Sequence, residues 1–169
     1  MKVLLLSFAV LTAALSLIGG ALAVNHPISA GVKVAGASSG LGRILVDGRG
    51  RTLYLFEKDK HGKSACAGQC AAFWPPLIAS GKPLATAGAK ASLLGTTKRA
   101  DGRLQVTYNH HPLYRFVKDT TKGQTNGEEV DAFGAEWYAL SPAGAKVEKN
   151  DAKSGSGAGP TEGGYGYGY

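Results

Sequence analysis

Cysteine is scarce in this chain: Cys66 and Cys70 are the only two among 169 residues. Neither lies near the N-terminal apolar run, so that region offers no lipobox cysteine to carry a lipid anchor. Their spacing is not the C-x-x-C of thioredoxin-like enzymes, and no C-x-x-C-H haem attachment occurs. Also missing are G-x-S-x-G, a phosphate loop, H-E-x-x-H and a dinucleotide-binding glycine fingerprint. After the first run, no apolar stretch is long enough to span a bilayer. The excess of positive charge, +7 over the whole chain, is scattered and forms no basic stripe. Such a net charge suits weak encounters with anionic partners, but the scattered, short groups, Lys98-Arg99 among them, read as a solvated surface, and no specific nucleic-acid binding is expected.

The N-terminus has the form of a secretory signal. Lys2 supplies the positive start, residues 3–18 the apolar stretch, and Ala21-Leu22-Ala23 a small-x-small cleavage site. Cleavage after Ala23 leaves a mature chain that starts at Val24, carries +6 and is periplasmic or extracellular. Residues 24–39 read as a flexible leader, residues 40–149 as the folding unit, and residues 150–169 as a disordered Gly/Ser/Tyr tail. The tyrosines at the end of that tail suit it to serve as an interaction segment.

The folding unit repeats itself. Shifted by 60 residues, Gly42-Arg43-Ile44-Leu45-Val46 lies over Gly102-Arg103-Leu104-Gln105-Val106. Leu53-Tyr54-Leu55-Phe56-Glu57-Lys58-Asp59 lies over Leu113-Tyr114-Arg115-Phe116-Val117-Lys118-Asp119, and no gap is needed between the two blocks. Trp74-Pro75-Pro76-Leu77 and Trp137-Tyr138-Ala139-Leu140 correspond after a further three-residue shift. One such unit is too small to bury a core, and two can share one.

Each unit reads as a hairpin. In the first, Asp47-Gly48-Arg49-Gly50 is turn chemistry between strands at 44–46 and 52–56. In the second, Asn109-His110 separates 105–108 from 113–117. A further hairpin joins 94–98 to 104–107, and 137–140 gives a last strand. A short helix is expected around 66–73, stopped by Pro75-Pro76. The fold expected is mainly β: a compact antiparallel domain of two tandem repeats, about 42–80 and 102–142, with one or two short helices.

The doubled Tyr-x-Phe-x-x-Asp motif, Tyr54/Phe56/Asp59 and Tyr114/Phe116/Asp119, resembles that of a bacterial family of predicted lipoproteins. Those proteins carry a Yx(F/W/Y)xxD motif and are also called a secreted repeat of unknown function. The segment from Ser64 to Ala71 with its two cysteines, followed by Trp74-Pro75-Pro76-Leu77, is similar to the family's cysteine-containing part. Gln124-Thr125-Asn126-Gly127 followed by Trp137-Tyr138 is similar to its second half. The resemblance implies an exported repeat protein and brings no established activity.

Several chemistries remain open on the residues themselves. Cys66 and Cys70, one helical turn apart in an exported chain, suit a structural disulfide. Reduced, and joined by a histidine, the same pair suits copper or redox work; His110, His111 and His61 are the candidates. No cofactor is required by either repeat, and copper stands as the alternative. Asp59 and Asp119 end equivalent strands, where a carboxylate caps the following loop; as a pair they would also suit acid–base chemistry if the fold joins them. Asn126, Glu128, Glu129 and Asp131 have oxygen ligands without EF-hand spacing and read as a polar loop. Trp74 and Trp137 read as core aromatics. The function expected is a non-catalytic binding or structural module of the cell envelope. Its expected partners are anionic envelope polymers or another envelope protein.

Overall fold

The computed structural model describes residues 31–149. The signal sequence expected at 1–23, the first part of the expected leader and the tail expected at 150–169 lie outside the described residues. Strand β1 (Lys33–Ser39) turns at Gly40-Leu41 into β2 (Gly42–Asp47), pairing antiparallel from Ser39 opposite Gly42 to Val34 opposite Asp47. The Ser39 hydroxyl closes the turn, donating to the Gly42 carbonyl at 3.0 Å and accepting from Leu41 N–H at 3.1 Å.

The leader expected at 24–39 is therefore corrected over 33–39, which is a strand. Its Gly/Ala/Ser content has weak β propensity, but close packing demands it. A Cβ on Gly36 would stand 2.6 Å from the Ala87 carbonyl oxygen. A second departure is the strand β4 (Leu84–Thr86), which joins β1 in parallel in an otherwise antiparallel fold.

Two expected hairpins are corrected. Residues 52–56 touch 44–46 only through an isolated Val46–Thr52 bridge and the Leu53 N–H to Leu45 O bond, and Tyr54–Phe56 joins a different sheet. Residues 113–117 form no continuous strand, because Tyr114 bridges to Tyr54 and Pro76 instead; the return strand of that hairpin is His111–Pro112. The hairpin of 94–98 with 104–107 is as expected. β3 (Tyr54–Phe56) pairs with β9 (Ala135–Ala139), which also pairs with β8 (Val130–Ala132). β5 (Leu94–Lys98) pairs with β6 (Leu104–Tyr108), which turns at Asn109-His110 into β7 (His111–Pro112). Both turn residues have positive φ, 46° and 66°, the handedness that matches the twist of the flanking strands. The one α-helix among the described residues, α1 (Gln69–Phe73), is shorter than expected at its start and stops before Pro75. A 3-10 turn covers Ala91–Leu93.

The two repeats are related by a local two-fold operation. Tyr54 and Tyr114 exchange backbone hydrogen bonds, N–H to carbonyl in both directions, at 2.9 and 3.0 Å. Around that pair the bonds between the strands recur in both repeats. Leu53 N–H donates to Leu45 O as Leu113 N–H does to Val106 O. Leu140 N–H donates to Leu53 O as Leu77 N–H does to Leu113 O. Leu45 thus matches Val106, one residue beyond the ungapped 60-residue register. The register of the first strand is corrected by one. The Asp47 turn is one residue longer than the Asn109-His110 turn, and a one-residue slip would otherwise reverse which side chains face the core.

The consequence is an exchange of strands. Each repeat's Tyr-x-Phe strand lies against the other repeat's Trp strand: β3 on β9, and residues 113–117 on 73–77. Alternation then sorts the core into two faces. Leu53, Leu55, Leu113 and Leu140 join an aliphatic cluster, and Tyr54, Phe56, Tyr114, Phe116 and both tryptophans form the aromatic one.

Candidate functional site

The aromatic face holds the motif residues. Four rings stack in the order Phe116, Trp74, Trp137, Phe56, with centroid separations of 4.2, 3.9 and 4.0 Å. Tyr54 meets Trp74 edge-on at 5.4 Å, and Tyr114 meets Trp137 edge-on at 5.1 Å. These four rings are stacked nearly parallel, and the T-shaped contacts at either side suit the ring quadrupoles. Each tryptophan therefore stacks on the phenylalanine of the other repeat.

The phenols cross over as well. Tyr54 O–H donates to the Asp119 carboxylate at 2.6 Å, and Tyr114 O–H donates to Asp59 at 2.7 Å. Each carboxylate also caps its own loop: Asp59 accepts Ala65 N–H at 2.7 Å, and Asp119 accepts Asn126 N–H at 2.9 Å. Burial, followed by the adjoining carboxylate, drives both phenols well above their ordinary range. Burial also raises both carboxyls. For Asp59 the rise is opposed by Ala65 N–H and Tyr114 O–H and ends at about 6. For Asp119 it is opposed by Tyr54 O–H and by Asn126.

The environments differ sharply. Asp119 is 4% exposed, enclosed by Tyr54 and the 124–127 loop. Gly127 gives its N–H to the Tyr54 oxygen at 3.3 Å, and a Cβ there would stand 2.8 Å from the Trp74 ring, so only glycine fits. Asp59 is half-buried and lines two adjoining cavities. One, of about 410 Å³, is lined by His61, His110 and His111 as well as Asp59; the other, of about 350 Å³, by Glu57, Lys60, His111 and Lys146. His111 is held below its ordinary pKa, first by burial and then by the charge of His110. Asp119 lines neither cavity, so the two motif carboxylates do not face a shared space.

Cys66 and Cys70 stand at disulfide bonding distance with Cα atoms 5.3 Å apart. They belong to the first repeat alone; Gly127 takes the place of Cys66 in the second. The cavity beside Cys66, about 490 Å³, contains Arg99, Asp101 and Arg103 and no histidine. The structure thus does not bring the cysteines and His110 or His111 to one site. Asn126, Glu128, Glu129 and Asp131 do not converge either. Asn126 caps onto Asp119, Glu128 turns inward to Ala139, and Glu129 pairs with Lys149.

Two buried groups escaped the sequence. Arg99 sat in a Lys-Arg pair that read as solvated surface; it is 8% exposed. Its guanidinium donates to Gln105 at 2.5 Å, Ser64 at 2.8 Å and the Cys66 carbonyl at 2.6 Å. The Ser64 hydroxyl and the Tyr114 oxygen are hydrogen-bonded at 2.8 Å, with the Tyr114 proton committed to Asp59, so a polar chain links Arg99 to the Asp59 pair. Gln105 replaces Ile44 of the first repeat, and that polar-for-apolar exchange is the one signal that could have found the chain. Glu128, read as part of a polar loop, is 4% exposed and accepts Ala139 N–H at 2.7 Å. Its other oxygen has no partner. Burial raises its carboxyl to about 7. The first repeat has Pro76 where Ala139 stands, and proline has no N–H to offer.

A family model described as a secreted repeat of unknown function matches residues 37–78 and again 95–141. The chain belongs to that family. Each match begins inside or beside the first strand of one hairpin and ends after the Trp strand, so the secreted repeat is the unit the two-fold relates. No curated protein and no solved structure matches the chain. Among the described residues no helix is long and apolar enough to cross a membrane.

Proposed function

We propose that this secreted-repeat protein is an exported, non-catalytic module that works by binding at the cell envelope, its first 23 residues serving as a cleaved export signal. The observation that carries this reading is the crossed pairing of Tyr54 with Asp119 and Tyr114 with Asp59. The motif's phenols and carboxylates are directed at each other and at loop N–H groups rather than at a shared cavity. Groups so committed hold two halves together, and an acid–base pair needs an accessible proton path to substrate. The +6 charge left after cleavage at Ala23 fits anionic partners at the envelope.

The experiment is expression of the full chain in a bacterial host, followed by fractionation and N-terminal sequencing. A mature chain starting at Val24 and recovered with envelope material is the expected result. An Asp59→Asn chain that folds, judged by circular dichroism, should partition identically. A hydrolytic turnover on envelope substrates that this substitution abolishes in the folded chain would overturn the non-catalytic reading.

A further inference from the structure

Part of the positive charge that looks scattered in the sequence is gathered by the fold around one turn. The turn between β2 and β3 carries Arg49 and Arg51. Lys33 at the start of β1 lies beside it, its side chain 3.4 Å from where a Cβ on Gly48 would stand. Lys122 approaches from the 119–126 loop, 3.0 Å from the corresponding point on Gly50, and Gly123 N–H donates to the Gly50 carbonyl at 3.2 Å. Arg115 reaches in from the second repeat's motif strand, with Nε 3.6 Å from Asp47.

Asp47 is the carboxylate at the centre of this group, and it is fully engaged. It accepts Arg49 N–H and Arg51 N–H on one oxygen and the Arg51 fork, at 2.8 and 3.0 Å, on the other. Five cations against one carboxylate leave a local excess of four positive charges. Among the described residues Lys33, Arg49 and Lys122 enter no ion pair. Arg115 Nε is buried without a hydrogen-bond acceptor. Burial and the repulsion of Arg51 lower its proton affinity.

We propose that this turn face, Lys33, Arg49, Arg51, Arg115 and Lys122, is a docking surface for a linear, phosphate-bearing polymer of the cell envelope. The proposal rests on the envelope-binding reading above and names its surface and partner class. The cations arrive from two elements on the first repeat's side, β1 and the turn after β2, and two on the second's, so they approach an anion from several directions. A phosphate has acceptor oxygens pointing several ways and meets such a group better than the two coplanar oxygens of a carboxylate. A polymer with charge at every unit engages the whole face and releases counterions as it does so, which makes the binding steeply salt-dependent.

The test is titration of the full chain with linear inorganic polyphosphate at a series of salt concentrations, with poly-glutamate as the carboxylate comparison. By analogy with single-stranded polyanions, the log–log salt slope of the parent should be about −3, and that of Lys33→Gln/Arg49→Gln/Lys122→Gln about −1. At low salt the triple variant should bind at least about tenfold more weakly. A control, Lys58→Gln/Lys63→Gln/Lys98→Gln, removes equal charge elsewhere and should lose less than about threefold. Arg51 and Arg115 are left intact because they hold Asp47. Equal losses in both triple variants, or no polyphosphate binding by the parent, would overturn the assignment of this face. Equal affinity for poly-glutamate would overturn the phosphate chemistry. Envelope retention of the parent that the face variant keeps would sink the face and leave the envelope-binding reading standing.

Discussion

The two repeats make the same bond in different surroundings. In the second repeat, Asp119 is sealed beneath a glycine loop and its partner Tyr54 has no route to water. In the first, Asp59 opens onto a histidine-lined cavity and its partner Tyr114 belongs to a polar chain running back to Arg99. The loops that close the two sites differ in kind. One holds itself with Cys66 and Cys70; the other turns Glu128 into the interior to meet the N–H of Ala139. The contacts that join the halves, Tyr54 to Asp119 and Tyr114 to Asp59, are present in both copies. The loops that cap each half differ.

The comparison can be broken first at the tryptophans, where the repeats should be alike. Trp74→Ala and Trp137→Ala each remove a ring from the middle of the four-ring stack. Each should cost about 4 kcal/mol in denaturant unfolding, and the two losses should agree within about 1 kcal/mol. A large inequality would show that one repeat carries the core.

The tyrosines should separate the repeats. Tyr54→Phe leaves a buried Asp119 with only its loop contact and should cost about 3 kcal/mol. Tyr114→Phe leaves Asp59 near water, with Ala65 N–H still in place, and should cost about 1 kcal/mol. Equal costs from chemical denaturation would mean that the difference in exposure has no energetic consequence.

Replacing both cysteines with alanine tests the first repeat's clamp. The loop they close is short, so the chain-entropy effect is small, and thermal unfolding should report a loss of about 2 kcal/mol. The same loss is expected on reduction of the parent, and none on reduction of the variant.

Glu128 tests the second repeat's clamp by pH. Its carboxyl binds a proton more readily in the folded chain, at about 7, than its ordinary value near 4.5. The folded state therefore gains stability as pH falls from above 7 towards 4.5, by at most about 1.4 kcal/mol per pH unit. Asp59, raised to about 6, adds in the same direction. Glu128→Gln removes the larger part of this dependence while still offering an oxygen to Ala139 N–H. Stability profiles of parent and variant that run parallel between pH 5 and 8 would discard Glu128 as the titrating group.

Much of the fold was legible. The Asp47 and Asn109-His110 turns, the alternation of Leu53 and Leu55 against Tyr54 and Phe56, and the helix stop at Pro75 each follow from residues a few positions apart. β1 was not legible, because its small residues look like linker until Ala87 and Arg43 crowd against Gly36. The burial of Arg99 was hidden for a similar reason. A Lys-Arg pair is ordinarily solvated, and only the fold brings Gln105, Ser64 and the Cys66 carbonyl to meet it.

By itself, then, the amino-acid order determined a doubled β unit, the motif each copy carries and a cysteine pair within reach of itself. These are statements about local spacing, and short-range sterics and periodicity decide them. Tertiary structure alone decided that each tyrosine would serve the other repeat's aspartate, that one aspartate would be sealed and the other open, and that five distant cations would share one turn. The crossed bonds span 65 and 55 residues of chain. Contacts at that separation leave no local pattern, because they exist only when both strands are already paired across the two-fold.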